Sequence, residues 1–181
     1  MKKVNELIKL PEVKTIFNLF NNNQGIYLVG GCIRDTLSAK EVTDIDFAID
    51  IDPEEVVKTL SNNNIKFYDI GINYGTVTAV IDSKNYEITS LREDIETDGR
   101  HAKVKYTSDI KADSLRRDFT INAIYANRDG ELFDFHNGID DIENRNLKFI
   151  GSANDRVKAV SYTHLRAHET EADLVCRLLL E

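Results

Sequence analysis

The sequence predicts an α+β fold, in which helices and strands follow one another without the regular alternation of an α/β protein. The 181 residues suffice for one ordinary domain, and 41% of them are hydrophobic, which is enough to bury a core. Apolar residues recur at helical spacing in some segments and alternate with polar residues in others. No internal repeat or low-complexity tract interrupts this pattern.

Charge and composition indicate where such a protein works. The net charge is −8, which argues against a chain whose whole surface binds nucleic acid. The N-terminal segment is too polar for a signal peptide, and no apolar run approaches the roughly 20 residues that span a bilayer. The two cysteines fit neither a disulfide framework nor a zinc site. We therefore expect a cytoplasmic protein with no membrane contact.

The first half of the chain contains helices and short strands. Residues 3–21 carry apolar side chains at helical spacing, and Pro11 divides them into two predicted helices. Residues 26–30, IYLVG, predict an apolar strand. The paired glycines at its end form a turn, and a brief helix is predicted to follow. Residues 44–51, DIDFAIDI, alternate polar and apolar side chains, which predicts a half-buried strand.

The elements that follow are less regular. Pro53 begins a helix, and KFYDIG, TVTAVID and YEITSL predict three strands, the last two joined in a hairpin. Residues 92–112 are charged and poorly periodic, so they predict a loop. Residues 113–127, DSLRRDFTINAIYAN, predict a helix capped by Asp113 or Ser114. GELFDF predicts a further strand.

Two aspartates at alternate positions are the first candidate site. Side chains at i and i+2 of a strand share a face, so Asp44 and Asp46 are predicted to lie side by side. Carboxylates that close repel unless a cation lies between them, and Mg²⁺ suits such a pair. Glu87, on a strand that we expect to be an antiparallel neighbour, is the candidate third carboxylate. A solvent-exposed acidic pair is the alternative interpretation.

The residues before this pair favour a phosphate site over exposed acids. Gly30 and Gly31 allow backbone N–H groups to approach an anion, and the start of the next helix favours negative charge. Arg34 supplies a permanent cation suited to phosphate oxygens. A phosphate-binding turn beside a metal-binding pair indicates a nucleoside triphosphate.

A second motif lies in LRRDFTINAIY, where Arg116 and Arg117 precede Asp118. Asp118 and Asn122 are four residues apart and would share a helix face. Asn can bind a sugar hydroxyl, and arginines neutralise phosphate. Residues 100–117 hold six basic and two acidic residues, a local charge of +4 in an acidic chain. A solvated, charged helix start is the alternative interpretation.

Together the two motifs resemble the head domain of class II tRNA nucleotidyltransferases and bacterial poly(A) polymerases, in the DNA polymerase β-like superfamily. The first family motif, Gly-Gly, Arg-Asp and Asp-x-Asp, matches Gly30, Gly31, Arg34, Asp35, Asp44 and Asp46. The second, Arg-Arg-Asp-x-x-x-Asn, matches Arg116, Arg117, Asp118 and Asn122. The resemblance covers about residues 24–157 and implies a mixed, mostly antiparallel sheet flanked by helices.

This resemblance implies template-independent addition of nucleotides (CCA, CC or A) to tRNA 3′ ends from CTP or ATP, with Mg²⁺ as cofactor. Asp44 and Asp46 would hold two Mg²⁺ ions, and Glu87 would be the third catalytic acid. The remaining site residues would bind the nucleotide: Gly30, Gly31, Arg34, Asp35, Arg92, Arg116, Arg117, Asp118 and Asn122. Among these, Arg92 would belong to the flexible loop of the family, and Asp118 and Asn122 would lie near the ribose.

Four segments are expected along the chain: N-terminal helices at 1–23, the catalytic head at 24–150, the start of a truncated neck at 151–158, and a non-native tail at 159–181. After Asp155 the chain lacks the Glu-Asp-x-x-Arg element with which family members select the base. We expect the main tRNA-binding domains to be absent from this chain. Two alternatives therefore stay open: a poly(A) polymerase, and a non-catalytic nucleotide- or RNA-binding module.

Overall fold

The structure is a computed structural model that describes residues 2–20, 24–97 and 102–151. The predicted neck and tail beyond residue 151 therefore lie outside the described residues. The helices are α1 (Lys2–Ile8), α2 (Pro11–Leu19), α3 (Gly31–Leu37), α4 (Pro53–Asn62), α5 (Ile110–Leu115) and α6 (Gly138–Glu143). The predicted helices on either side of Pro11 are thus present, and Pro53 begins α4 as expected.

Two sheets contain the strands of the described residues. The strands are β1 (Ile26–Val29), β2 (Asp46–Ile49), β3 (Lys66–Tyr68), β4 (Thr76–Ile81), β5 (Lys84–Ser90), β6 (Arg92–Thr97), β7 (Ala102–Tyr106), β8 (Ile124–Ala126) and β9 (Leu132–Asp134). Within the described ranges, seven of them form one sheet in the order β3-β4-β5-β2-β1-β8-β9, and β6 pairs with β7. All pairs are antiparallel except β2 with β5. The predicted α+β class with a mixed, mostly antiparallel sheet is confirmed.

The main core lies on one face of the large sheet. Leu28, Phe47, Ile88 and Val77 are paired in register across β1, β2, β5 and β4, and each is fully buried. Apolar residues of α1, α2, α3 and α4 belong to the same core. Because side chains alternate between faces, the preceding residue of β2 and of β5 points to the opposite side of the sheet. That opposite side carries the candidate site.

The hairpin between β4 and β5 agrees with the prediction. Asp82 and Ser83 form its two-residue turn, with φ values of 50° and 64°. Positive φ at both central residues is the geometry that matches the twist of a two-residue hairpin, which favours residues such as Asp.

The loop predicted over residues 92–112 is wrong. Two strands, β6 and β7, pair there, and α5 begins at Ile110. Many residues of this segment are charged, so its strands lack the alternation of apolar and polar residues by which strands are predicted. A separate two-stranded ribbon does not need a strictly alternating apolar face. The two strands are instead held together by backbone hydrogen bonds between β6 and β7.

The helix predicted over residues 113–127 is also wrong. The cap of α5 is Asp109, whose Oδ1 accepts the N–H of Lys111 at 2.8 Å, and the helix ends at Leu115. Residues 124–126 instead form β8, which is fully buried beside β1. The helical spacing of this segment is overridden by sheet pairing, since tertiary context outweighs intrinsic propensity. In the described part of the chain no helix is long and apolar enough to cross a membrane.

Candidate nucleotide and metal site

A glycine turn at the end of β1 forms the centre of the site. Val29 pairs with Asp46 in the antiparallel register of β1 and β2, so Gly30 lies beside the first residue of β2. Gly30 has φ 79° and ψ −138°, a backbone conformation that residues other than glycine rarely adopt. A Cβ at this position would lie 3.8 Å from Oδ2 of Asp46 and 4.0 Å from Nη1 of Arg117. The absent side chain therefore leaves space between a carboxylate and a guanidinium group.

A second guanidinium group flanks the next glycine. A Cβ on Gly31 would lie 3.4 Å from Nη2 of Arg34 and 4.0 Å from Oδ2 of Asp35. Arg117, of the second motif, thus lies near Gly30, and Arg34, of the first motif, lies near Gly31. An anion at this turn would meet cationic groups from two distant parts of the chain, which is the arrangement that binds phosphate.

The carboxylates lie where β2 begins. Asp46 is the direct partner of Glu87 in the parallel register of β2 and β5, so their side chains share one face of the sheet. The predicted neighbour relationship is therefore present, but the expected antiparallel pairing is wrong. Glu87 is exposed and Asp46 is half-buried.

The placement of Asp44 differs from the prediction. β2 starts at Asp46, so Asp44 precedes the strand and the alternation of strand side chains does not apply to it. Asp44 is exposed, and its Oδ2 accepts the hydroxyl hydrogen of Thr43 at 3.0 Å. Phe47, the next residue of β2, points to the opposite face and is buried in the main core. Its burial fixes the orientation of the strand from residue 46 onward.

The donor set can be tested against Mg²⁺. Among the described residues, no group of three or more His, Cys, Asp or Glu side chains converges in the way that a closed metal site requires. Mg²⁺, however, is usually held by one or two carboxylates together with waters and substrate phosphates. Asp46 and Glu87 supply oxygen ligands on one face, next to the glycine turn. These residues fit a magnesium ion that is completed by a triphosphate.

A chain of hydrogen bonds joins the two motifs. Arg34 donates from Nε and Nη2 to the two carboxylate oxygens of Asp35, at 2.9 and 3.0 Å. Its Nη1 donates to Oδ1 of Asn122 at 2.9 Å, and Asn122 in turn donates to Oδ1 of Asp118 at 3.4 Å. The side chain of Arg34 is only 15% exposed, so these contacts determine the orientation of its guanidinium group. Asp35 and Asn122 together hold Arg34.

Asp118 and Asn122 meet for a reason that the sequence did not suggest. Asp118 precedes a short 3₁₀ turn, Thr120–Asn122, and Asn122 is the last residue of that turn, so the two do not share an α-helical face. Asp118 also accepts the N–H of Phe119 at 2.8 Å, which starts this turn. Their predicted proximity is present, while the predicted helix is not.

Sequence reasoning missed Asp113 as a member of the site and treated it as a cap. Its side chain is fully buried. Its Oδ1 accepts from Nε of Arg116 at 2.8 Å, and its Oδ2 accepts from Arg117 and from the hydroxyl of Tyr125 at 2.6 Å. The signal was available in the spacing, since Asp113 precedes the two arginines by three and four positions.

The charges of this cluster stabilise one another. Burial alone would raise the pKa of Asp113, but the guanidinium groups of Arg117 and Arg116 hold that pKa below its usual value. Burial raises the pKa of the Tyr125 hydroxyl, so Tyr125 remains a neutral donor to the carboxylate. The cluster therefore combines one buried anion with two cations that reach towards the surface.

The two remaining basic candidates, Arg92 and Arg116, both contact Asp113. Arg92 follows Leu91, which is hydrogen-bonded to the last residue of β2, and its guanidinium group donates to the carbonyl of Tyr74. Its backbone N–H donates to Oδ1 of Asp113 at 3.0 Å. Arg116 contacts Asp113 and is 15% exposed. A nucleotide-binding role for these two arginines stays a prediction.

Cys32, beside the glycines, is a packing residue. It is buried, and its Sγ donates to the carbonyl of Val29 at 3.3 Å. Burial raises the pKa of this thiol to about 12, so the side chain is a neutral thiol at physiological pH.

Comparison with known proteins agrees with this geometry. The family model described as "Poly A polymerase head domain" matches residues 26–148, more than half of the chain. The mitochondrial CCA tRNA nucleotidyltransferase 1 of Danio rerio is 40% identical over 161 residues, which cover 83% of this chain and 37% of the relative. A CCA-adding enzyme of Lactobacillus delbrueckii is 39% identical over 143 residues, covering 78% of this chain and 35% of the relative. The chain thus spans little more than a third of these proteins.

The fold also resembles solved structures. The Bacillus stearothermophilus CCA-adding enzyme in complex with CTP aligns with a TM-score of 0.71 and 28% identity, over 84% of this chain and 37% of that chain. A tRNA nucleotidyltransferase complexed with a primer tRNA and an incoming ATP analog aligns with a TM-score of 0.59 and 23% identity, over 87% and 40% of the two chains. The second likeness concerns the fold alone.

Proposed function

Because the chain belongs to the poly A polymerase head domain family, we propose that it is the catalytic head of an enzyme that adds CCA, CC or A to tRNA 3′ ends from CTP or ATP. One observation carries this proposal. The turn at Gly30 lies between the carboxylate of Asp46 and the guanidinium group of Arg117, with Arg34 beside the following glycine. The relatives named as CCA-adding enzymes support the same reaction.

Binding of the triphosphate is the first step that these residues support. Nη1 of Arg117 and the guanidinium group of Arg34 are placed to neutralise phosphate oxygens on either side of the turn. The absence of a side chain at Gly30 and Gly31 allows the backbone itself to approach the phosphates. Hydrogen bonds to Asp35 and Asn122 fix Arg34 before a ligand arrives, which lowers the entropic cost of binding.

The carboxylates support the chemical step. Asp46, with Glu87 beside it and Asp44 just before the strand, would hold Mg²⁺. When bound, Mg²⁺ lowers the pKa of an attacking 3′-hydroxyl and neutralises charge on the departing pyrophosphate. The protein residues keep both carboxylates on the sheet face next to the glycine turn, so the attacking hydroxyl and the triphosphate are brought to the same place.

The ribose is assigned to the second motif. Asn122 and Asp118 form the outer end of the hydrogen-bond chain that begins at Arg34. An amide and a carboxylate can bind sugar hydroxyl groups. We place the protein in the cytoplasm on its composition alone.

Nucleotide incorporation tests the proposal. The chain, and a version extended with its natural downstream sequence, would be incubated with tRNA lacking its 3′ end, Mg²⁺ and labelled CTP or ATP. We expect the extended version to incorporate label, and we expect Asp46→Ala together with Asp44→Ala to abolish incorporation. Asp129→Ala, at an exposed turn between β8 and β9, is the matched control and should retain full incorporation.

The outcomes separate the alternatives. Incorporation that survives loss of both aspartates contradicts the proposed chemistry. Long runs of A on any RNA 3′ end would favour a poly(A) polymerase. Binding of CTP or ATP by the extended chain without incorporation would favour a non-catalytic nucleotide-binding module.

A further inference from the structure

A fully buried carboxylate lies behind the site, and the proposed reaction does not use it directly. Asp113 is 0% exposed, and its two oxygens contact different elements. Oδ1 accepts the backbone N–H of Arg92, at the start of β6, and Nε of Arg116. Oδ2 accepts both Nε and Nη2 of Arg117, each at 3.2 Å. A buried charge with this many donors is strongly oriented.

Tyr125 completes the cluster from the sheet. Its hydroxyl donates to Oδ2 of Asp113 at 2.6 Å and accepts Nε of Arg117 at 2.8 Å. Its ring is fully buried on β8, directly opposite Val29 of β1. Since Val29 precedes the glycine turn, the hydroxyl ties the orientation of Arg117 to the strand that ends at that turn.

The contacts leave one nitrogen of Arg117 towards the site. Nε and Nη2 are engaged by the carboxylate and the hydroxyl, whereas in the described part of the chain Nη1 has no hydrogen-bond partner. Nη1 is the atom that lies 4.0 Å from the Cβ position of Gly30. A free arginine side chain has many rotamers. When one edge of its guanidinium group is held by hydrogen bonds, the other edge points in a single direction.

We propose that Asp113 and Tyr125 are positioning residues that hold Arg117 with Nη1 towards the triphosphate of the incoming nucleotide. This inference rests on the proposed function, because the ligand that it assigns to Nη1 is the triphosphate. It predicts that both residues influence phosphate binding only through Arg117. A purely structural cluster would influence folding without that dependence.

The test is a double-mutant cycle on ligand binding. Tyr125→Phe keeps the buried ring and removes only the hydroxyl, so the variant is suited to a cluster in which Asp113→Asn risks unfolding the chain. Dissociation constants for CTP and for inorganic triphosphate, both with Mg²⁺, would be measured by calorimetry in four proteins: wild type, Tyr125→Phe, Arg117→Ala and the double variant. Inorganic triphosphate has no sugar or base, so it reports on phosphate contacts alone. Tyr86→Phe, another buried tyrosine, is the matched control.

We expect Tyr125→Phe to weaken both ligands about tenfold in the wild-type background, and by less than about twofold when Arg117 is already alanine. Tyr86→Phe should leave both affinities unchanged. Equal losses in the two backgrounds, or no loss in a Tyr125→Phe protein with wild-type circular dichroism, would overturn the positioning role while leaving the proposed function intact. A wild-type chain that binds neither ligand would overturn the proposed function and this inference together.

Discussion

Asp46 and Glu87 lie directly opposite each other in the parallel register of β2 and β5, on the sheet face that is not covered by the main core. Neighbouring strands are about 4.8 Å apart, so this register brings the two carboxylates to neighbouring positions on one face of the sheet. Like charges placed in this way destabilise a sheet. The pair is therefore a place where a cation, or the loss of one charge, should increase stability.

The first prediction concerns this repulsion. We expect Glu87→Gln to increase the free energy of unfolding in EDTA by about 0.5 kcal/mol, since like charges opposite one another cost about 0.2–1 kcal/mol. Addition of Mg²⁺ should raise the melting temperature of the wild type more than that of the variant. Differential scanning fluorimetry in EDTA and in Mg²⁺ measures both effects. Glu6→Gln, on the exposed side of α1, is the control and should change neither. A destabilised Glu87→Gln protein in EDTA would contradict the repulsion.

The second prediction concerns the glycine turn. Gly30→Ala should lower the free energy of unfolding by about 1–3 kcal/mol, because the φ of 79° is strained for any residue with a Cβ. It should also weaken CTP binding, since the new methyl group would occupy the space between Asp46 and Arg117. Gly151→Ala is the matched control, because Gly151 has φ 82° and no described atom within 4 Å of its Cβ position. Urea titration and calorimetry separate the two effects, and equal loss of CTP affinity in both variants would refute the spatial explanation.

The third prediction concerns the link between the motifs. Arg34→Lys removes the two-nitrogen contact with Asp35 and the bond to Asn122, so we expect CTP affinity to fall about tenfold or more. Asn122→Ala should reduce the affinity less. The loss of binding free energy in the double variant should be smaller than the sum of the two single losses. A coupling energy of about 0.5–1.5 kcal/mol from the binding constants is expected for residues in one network. Additive effects would mean that the 2.9 Å contact between Arg34 and Asn122 has no role in binding.

The fourth prediction concerns pH. Because Arg117 and Arg116 hold the pKa of Asp113 in the folded chain below its usual value, the unfolded chain takes up this proton at a higher pH than the folded chain does. The stability that Asp113 contributes is therefore complete above about pH 4 and is lost as the pH falls through the lower, folded pKa. Urea denaturation between about pH 2.5 and 6, a range that includes the usual Asp pKa, should show a shallower loss of stability in acid for Asp113→Asn than for wild type.

This variant should also lose about 2–3 kcal/mol near neutral pH, because a neutral amide cannot replace the charge-assisted bonds to Arg116 and Arg117. Asp129→Asn, at an exposed turn, serves as the reference for the acid limb. An acid limb of the same slope in the wild type and in Asp113→Asn would rule out this carboxylate as a source of the pH dependence.

The sequence by itself determined the features that depend on near neighbours. The glycine turn after an apolar strand, the hairpin between β4 and β5, and the helix that begins at Pro53 each follow from the conformational preferences of a few adjacent residues. The spacing of Arg34 from the glycines and the order of the two motifs were also readable, because they are properties of the chain rather than of its folding.

Only the tertiary structure decided which distant residues meet. The segment 124–126 has helical spacing, yet it becomes β8 because pairing with β1 buries Tyr125 completely. That choice carries the hydroxyl of Tyr125 to Asp113 and Arg117, and the parallel register of β5 carries Glu87 to Asp46. Strand order and register are set by the burial of apolar residues far apart in sequence, and local patterns hold no information on which partners those residues will find.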